Sequence, residues 1–334
     1  MNTLGRLFRA SVLGESHGEC VGVLLDGVSA GMPLSEKDFE ADLARRKGGT
    51  KGTTPRKEED APMLKSGVFN GRTTGAPLLI LFANKDTDSS AYEKLKDTPR
   101  PGHADFVAKM KFGGFNDYRG SGHFSGRLTA ALVAAGVVAK KMLAPLKIEA
   151  NVVEAGGAGA GKGMEERIEA AMKEGDSVGG IVECRVNGLP PGLGEPFFDS
   201  AESLLGHAVF SIPAVKGVEF GAGFASAGMR GSECNDRILD AGGRTATNNS
   251  GGINGGLTNG NPLVLRVAVK PPSSIRKEGE TVNLRSGKAE RISVPGRHDA
   301  CIALRVPVVL EAAVALALAD MMLMENRVKR VWGE

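Results

Sequence analysis

Residues 14–18, Gly-Glu-Ser-His-Gly, place an acid, a hydroxyl and an imidazole side by side between two glycines. Histidine is the side chain whose ordinary pKa lies nearest neutrality, and the glycines allow a ligand to approach the main chain closely. An apolar run that is typical of a strand follows at residues 21–25. The pattern indicates either a catalytic turn or a strand-entry turn with a structural histidine, and the choice depends on what the rest of the chain supplies.

Similar proton-handling and anion-binding groups recur in later segments. They are His103 with Asp105; Arg119, Ser125 and Arg127; the glycine and asparagine run 248–256; residues 270–274, Lys-Pro-Pro-Ser-Ser; and residues 297–299, Arg-His-Asp. Arginine binds phosphate and carboxylate bidentately, and exposed backbone N–H groups complete such sites. The sequence contains no nucleophile elbow and no metal-ligand spacing. This combination favours an anionic substrate with an anionic cofactor over acyl transfer, and we expect no metal.

A basic segment follows the opening turn. Ser35, with Asp38 three residues later, predicts a capping-box start to a helix over residues 35–47, and two glycines end it. The last turn carries Arg45, Arg46 and Lys47. These cations either complement the helix dipole or, with Lys51 and Arg56 of the next glycine-rich loop, form a flap that binds anions.

Two helices, at residues 128–143 and 308–324, are apolar nearly all round and are therefore expected inside the protein. Strand-like runs at 76–82, 148–154, 180–186 and 263–270 would enclose them between sheets. Charged residues interrupt the last apolar stretch, and its uncharged run is too short to cross a bilayer, so we expect no membrane partner. No segment has the composition of a linker, and a single domain over residues 1–334 is predicted.

The composition narrows the function classes. Forty-two basic and 39 acidic side chains give a net charge of +3, so there is no global field of the kind that marks a nucleic-acid binder. The four cysteines are far apart and form no CxxC motif, which argues against structural zinc and a disulfide framework. Residues 1–13 are too polar for the core of a secretory signal, and we expect a cytoplasmic protein.

A glycine-rich stretch, residues 156–163, nearly spells a nucleotide-binding P-loop around Lys162. The motif requires a serine or threonine after the lysine to hold magnesium, and the chain has Gly163 there. We expect a connecting loop, with a P-loop phosphotransferase that uses Lys162 as the alternative.

The ordered set of motifs resembles the chorismate synthase family. The matching stretches are GESHG with VGVLLDGVSAGMPL, RPGHADF, SGRLTAALVAAG, SIPAVKGVEFG, NNSGGINGG, KPPSSI and RHDACIALRVPVVLEA, in family order from residue 10 to about residue 325. The resemblance implies an α+β fold, a β-α-β sandwich with long helices between antiparallel sheets, assembled as a homotetramer.

The resemblance also implies a reaction. Members of the family are carbon-oxygen lyases that catalyse the last step of the shikimate pathway, which serves aromatic amino acid biosynthesis. They remove phosphate from 5-enolpyruvylshikimate 3-phosphate by a 1,4-anti elimination that gives chorismate. The hydrogen lost from C6 is not next to a carbonyl, so a base alone has little to work with, and reduced FMN is required. We expect the flavin to be reduced by an external reductase, and the resemblance associates the chain with NADP. A non-catalytic flavin-binding relative is a second alternative.

Residue roles carried over by motif match begin with the acid–base groups. His17 would protonate the leaving phosphate, His103 would tune flavin protonation, and Asp299 would relay a proton with flavin N5. Ser16 and Ser125 would support this network by hydrogen bonds. The implied flavin contacts are Ser125, Gly126, Arg127, Pro213, Ala214, Gly255, Lys270, Pro271, Pro272, Ser273, Ser274 and Arg297. The implied substrate contacts are Arg45, Arg46, Lys51, Arg119 and Arg127.

The chain departs from the family pattern at a few positions. The segment Gly-Ser-Gly-His-Phe, residues 120–124, stands where a GGGRS-like sequence is usual, and Gly126 replaces the usual alanine. Alignment around Lys51 is the least secure. The other three histidines, His123, His207 and His298, are expected to be structural.

Overall fold

The computed structural model describes residues 2–54, 59–85, 89–294, 296 and 298–333. Its strands are β1 (Thr3–Leu4), β2 (Arg9–Gly14), β3 (Cys20–Asp26), β4 (Met63–Ser66), β5 (Val68–Phe69), β6 (Arg72–Thr73), β7 (Leu78–Ala83), β8 (Lys147–Ala155), β9 (Ala158–Gly159), β10 (Gly180–Asn187), β11 (Val215–Phe220), β12 (Ile253–Asn254), β13 (Leu257–Thr258), β14 (Leu263–Val269), β15 (Gly279–Val282) and β16 (Ala289–Ile292). Its helices are α1 (Glu40–Arg46), α2 (Ser90–Leu95), α3 (Asp105–Lys111), α4 (Thr129–Met142), α5 (Lys162–Glu174), α6 (Ala201–Val209), α7 (Gly231–Cys234) and α8 (Val306–Met324).

Two five-stranded antiparallel sheets form the outer layers. One has the strand order β1-β2-β3-β7-β4, and the other β11-β14-β10-β8-β9. Alternation along β10 turns Val182, Cys184 and Val186 toward the core, and all three are fully buried. Such one-sided burial fixes the register of antiparallel strands.

The helices α4 and α8 pack against each other between the sheets. A Cβ on Gly136 would lie 2.5 Å from the Cα of Ala312, so only glycine permits this close crossing. The segment Ile302–Met324 is long and apolar enough to cross a membrane by length and composition, but 78% of its most apolar window is buried inside the protein. The predicted α+β sandwich with enclosed apolar helices is confirmed.

The predicted helix at residues 35–47 is a 3-10 turn, Glu36–Phe39, that continues as α1. The Ser35 amide donates to the Asp38 carboxylate at 2.7 Å, which is half of the predicted capping box. Local capping therefore sets where this helix begins, and the helix carries Arg45 and Arg46 in its last turn.

The glycine-rich stretch around Lys162 is not a phosphate-binding loop. Gly156 and Gly157 form the turn of the β8–β9 hairpin, in which Ala155 pairs with Ala158. The Lys162 side chain is 90% exposed and lies 3.7 Å from Glu166 on the same helix. The P-loop alternative is corrected to a hairpin followed by a surface helix.

Candidate active site

Several chain segments that are far apart in sequence meet at one cavity of about 790 Å³. Predicted site residues that line it are Ser16, Arg46, His103, Ser125, Gly126, Arg127, Pro213, Ala214, Lys270, Pro271, Pro272, Ser273, Ser274 and Asp299. The volume lies within the range of about 300–1,000 Å³ that is typical of small-molecule sites. Most of the predicted flavin and acid–base residues thus share one concave surface.

Two buried arginines share one carboxylate at the cavity wall. Arg46 donates to Asp60 at 2.5 Å, and Arg127 donates to the other oxygen of the same carboxylate. Burial raises the pKa of Asp60, but the two guanidinium groups outweigh it and hold that pKa below its ordinary value. Burial lowers the pKa of Arg46. The same carboxylate therefore holds both guanidinium groups at this wall.

His103 lies in a hydrogen-bonded network built around buried Arg100. Its Nδ1 is 2.7 Å from Asp105 Oδ1, and Arg100 binds the same carboxylate through Nε and Nη2, both at 2.7 Å. Burial raises the pKa of Asp105, but the bonds from Arg100 and His103 lower it by more. The net result is a pKa well below the ordinary value. Arg100 also donates to Ser274 at 2.9 Å and so ties the network to the 270–274 loop.

His17 is buried directly behind the cavity wall. Its Nδ1 is 2.8 Å from Ser89 Oγ, and its ring meets Tyr92 edge-on with 5.3 Å between centroids. A Cβ on Gly120 would lie 2.5 Å from His17 Nε2 and 2.9 Å from Ser16 Oγ. Gly120 and Ser16 line the cavity, so His17 packs against residues of its wall.

Asp299 is fixed by two contacts at another part of the cavity. Its Oδ1 accepts from the Thr54 amide at 2.9 Å, and Arg305 Nη1 lies 3.1 Å from Oδ2. Arg305 Nε also donates to the Arg46 carbonyl at 2.9 Å. Arg305 therefore holds the Asp299 carboxylate and the backbone of Arg46 in fixed relative positions.

The 270–274 loop presents a cation and hydroxyls. Lys270 Nζ donates to the Gly102 carbonyl and to Ser273 Oγ, both at 2.7 Å. Burial lowers the pKa of Lys270. Ser125 caps the short turn that carries Arg127 by accepting from its amide at 3.3 Å. These groups suit an anion with several oxygens.

The remaining predicted site residues lie elsewhere. Arg45 binds Glu311 on α8 at 2.8 and 2.6 Å. Lys51 is 68% exposed and pairs with Glu169, and Arg119 pairs with Asp117 at 2.9 and 2.8 Å. Gly255 is exposed in the turn between β12 and β13 and does not line the cavity. Arg297 lies outside the described residues.

The histidines that were expected to be structural are also at the cavity. His123, His207 and His298 all line it, and His123 Nδ1 is 2.8 Å from the Gly14 carbonyl. With His103 in the wall and His17 behind it, every histidine of the chain lies at or next to this one cavity. The concentration of imidazoles was not evident from the sequence.

Sequence reasoning also left out the partners of the predicted groups. Asp60, Arg100, Arg305, Ser89 and Tyr92 each contact a predicted residue, as described above. Arg100 and Asp105 stand in the same short segment as His103, and that spacing was the available signal. Asp60 carried no local signal, because its contact with Arg127 joins distant parts of the chain. Arg305 is close in sequence to Asp299, but its contact with the Arg46 carbonyl is also long-range.

Residues 8–323 match the family model described as chorismate synthase. The chain is 65% identical to a chorismate synthase of Chitinophaga pinensis over 333 residues, covering 99% of each chain. It is 46% identical to that of Dehalococcoides mccartyi over 359 aligned positions, again covering 99% of each. A solved structure titled as that of a chorismate synthase superposes with a TM-score of 0.74 at 29% identity, covering 96% of this chain and 93% of the other.

Proposed function

Because the chain belongs to the chorismate synthase family, we propose that the cavity binds reduced FMN and 5-enolpyruvylshikimate 3-phosphate together. The activity of the chain is that of the family, a carbon-oxygen lyase reaction that releases phosphate and forms chorismate. The family needs reduced flavin. The residue roles below are our proposal.

The observation that carries the proposal is the buried pair of arginines at the cavity wall. Arg46 and Arg127 have side chains that are 4% and 6% exposed, and they share a single carboxylate, Asp60. The Nε of Arg46 is buried without a hydrogen-bond partner among the described residues. Both arginines also line the cavity, where a guanidinium group can bind phosphate or carboxylate bidentately.

We assign the phosphate and carboxylates of the substrate to this wall. Arg46 and Arg127 would bind them, with Asp60 holding both guanidinium groups in place. Arg45, Arg119 and Lys51 pair with carboxylates outside the cavity, which supports a smaller set of substrate contacts than the motif match implied.

The acid–base groups occupy three separate positions. His17, held by Ser89, would donate a proton to the departing phosphate once movement of Ser16 and Gly120 brings the phosphate within hydrogen-bonding distance of its ring. Asp299, ionically paired with Arg305, would exchange a proton with a neighbouring ligand atom. His103, held by Asp105, would set the protonation of the cofactor.

The hydrogen-bond donors that line the cavity suit a flavin mononucleotide. The described residues Lys270, Ser273 and Ser274 offer a cation and two hydroxyls, and Ser125 and Arg127 lie on the same lining. Pro213 and Ala214, also on the lining, offer backbone and apolar surface to a planar ring. When bound there, reduced FMN would supply reversible one-electron chemistry, which would account for a cofactor requirement without net oxidation.

We further propose that the enzyme works in the cytoplasm as a homotetramer and is supplied with reduced flavin by a separate, NADP-dependent reductase. The four cysteines support a reducing compartment because all are free thiols, and Cys184 and Cys301 are buried. Burial raises the pKa of Cys184, so its thiol is unreactive.

An anaerobic assay with dithionite-reduced FMN and 5-enolpyruvylshikimate 3-phosphate tests the function. The wild-type protein is expected to form chorismate, and Lys162→Met is expected to do so at the same rate because Lys162 points into solvent. No turnover with flavin bound, or a loss of activity in Lys162→Met that magnesium and ATP modulate, would contradict the proposal.

A further inference from the structure

Ser121 has a backbone conformation that serine rarely adopts. Its φ is +72° and its ψ is +10°, and it stands between Gly120 and Gly122, whose φ values are +56° and +52°. The left-handed region costs a residue with a Cβ about 1 kcal/mol or more, whereas glycine enters it freely. A strained residue at a functional site is maintained when its side chain makes a contact that glycine cannot.

The hydroxyl of Ser121 makes such a contact. Its Oγ accepts a hydrogen bond from Arg100 Nη2 at 2.9 Å and lies 3.4 Å from His103 Nε2. A guanidinium group has no acceptor, so the bond with Arg100 uses a lone pair of Ser121 and leaves its proton available. That proton is in position to be donated to His103 Nε2.

The other side of the imidazole faces a carboxylate. His103 Nδ1 lies 2.7 Å from Asp105 Oδ1, and Arg100 binds both oxygens of Asp105. An ionised carboxylate can only accept, so Nδ1 carries the proton in this contact. Arg100 Nη2 is also 3.1 Å from Nδ1, but two donors do not bond to each other. Ser121 and Asp105 therefore select the same tautomer from opposite sides of the ring.

We propose that Ser121 is a positioning residue that holds His103 in the tautomer with its proton on Nδ1 and its lone pair on Nε2. Both Ser121 and His103 line the cavity. The proposal deepens the proposed function and rests on it for its effect on rate, because a ring whose two nitrogens are held by Asp105 and Ser121 keeps one orientation at the cavity.

A comparison of three residues at position 121 separates the effect of the hydroxyl from the effect of backbone strain. Serine has a hydroxyl and a Cβ, alanine has only the Cβ, and glycine has neither. If the hydroxyl positions His103, Ser121→Ala and Ser121→Gly lower kcat by about 3- to 10-fold with little change in KM, as expected for one neutral hydrogen bond. The melting temperature depends on the Cβ instead, because only a residue with a Cβ is strained at this positive φ. We therefore expect Ser121→Gly to melt about 2 °C above Ser121→Ala.

The tautomer is read directly by 15N NMR of histidine-labelled protein without substrate, with His103 signals identified by their absence in His103→Gln. In the wild type we expect one protonated nitrogen, Nδ1, and an Nε2 signal shifted by the hydrogen bond from Ser121. In both position-121 variants Asp105 keeps the proton on Nδ1, and we expect the Nε2 signal to move to that of a nitrogen without this bond. Asn70→Gly is the control, because Asn70 also has a positive φ, +49°, in an exposed turn away from the cavity.

Ser121→Gly with wild-type kcat and an unchanged His103 Nε2 signal would overturn the proposal. The spectra do not depend on the proposed function. If the wild type forms no chorismate, the proposed function fails, while an unchanged or shifted His103 Nε2 signal still decides the role of Ser121. A change in kcat for Asn70→Gly equal to that of Ser121→Gly would assign the effect to backbone strain and also overturn it.

Discussion

Arg45 and Arg46 are consecutive residues at the end of α1, yet their guanidinium groups bind carboxylates in different parts of the molecule. Arg45 makes a two-pronged contact with Glu311 on the enclosed helix α8, at 2.8 and 2.6 Å. Arg46 binds Asp60 at 2.5 Å and lines the cavity. Successive helical residues point about 100° apart, so neighbours in sequence can serve separate purposes.

This divergence predicts different effects for two identical substitutions. Arg46→Lys keeps the charge but loses the planar fork that binds an anion bidentately, and we expect the KM for substrate to rise about 10-fold or more. Arg45→Lys is expected to leave KM within about 2-fold and to lower the free energy of unfolding by about 1–3 kcal/mol, because Glu311 is buried. Steady-state kinetics and urea unfolding of the two variants measure both effects. Equal increases in KM would show that Arg45 also contacts substrate.

Gly120 and Gly126 both line the cavity and give a second matched pair. A methyl group at Gly120, where φ is +56°, would collide with the His17 ring, whereas nothing lies within 4 Å of the corresponding position at Gly126. Since a displacement of about 1 Å at a reacting group can cost about 100-fold in rate, Gly120→Ala is expected to lower kcat by about that factor. Gly126→Ala should retain nearly full activity. Turnover at the wild-type rate in both variants would contradict a catalytic role for the contact between Gly120 and His17.

Asp60 predicts a specific dependence of stability on pH. Its folded-state pKa is below its ordinary value of 3.8, so its contribution is fully present above that value and is lost as the pH falls below it. We expect Asp60→Asn to lose about 3–5 kcal/mol of unfolding free energy at neutral pH, because two buried arginines lose their anion. The difference in unfolding free energy between wild type and variant, the stability gap, should decrease as the pH falls below about 4. Urea unfolding between pH 7 and pH 3 measures it, and a gap of constant size would contradict the assignment.

His17 and His103 are expected to fail in different ways when they are removed. His17→Ala should slow turnover while leaving the affinity for reduced FMN unchanged, because His17 lies behind the wall at Gly120. His103→Ala should weaken flavin binding as well, since His103 lines the cavity beside the 270–274 loop. Anaerobic flavin titrations separate the two. Identical losses of rate and of flavin affinity in both variants would leave the separate roles unsupported.

The layered fold could be predicted from the sequence because its signals are local. The apolar runs that became α4 and α8, and the Ser35–Asp38 cap before α1, each lie within one stretch of chain. Periodicity and capping report on such stretches directly.

The site could be predicted only as a set of separate motifs. Nothing in the sequence distinguishes Arg46 from Arg45, because the difference depends on how α1 is rotated against α8. Asp299 and Thr54 are 245 residues apart, and their contact exists only in the folded chain. The tight approach of Gly120 to His17 is likewise invisible in a glycine-rich sequence.

We propose that the enzyme eliminates phosphate with a reduced flavin that is not consumed. An anaerobic measurement of stoichiometry tests this directly. Enzyme with a limiting amount of reduced FMN is given an excess of 5-enolpyruvylshikimate 3-phosphate, and chorismate, phosphate and reduced flavin are quantified together. The account predicts equal amounts of chorismate and phosphate over many turnovers, with the flavin still reduced at the end. Phosphate without chorismate, or one flavin oxidised for each phosphate released, would contradict it.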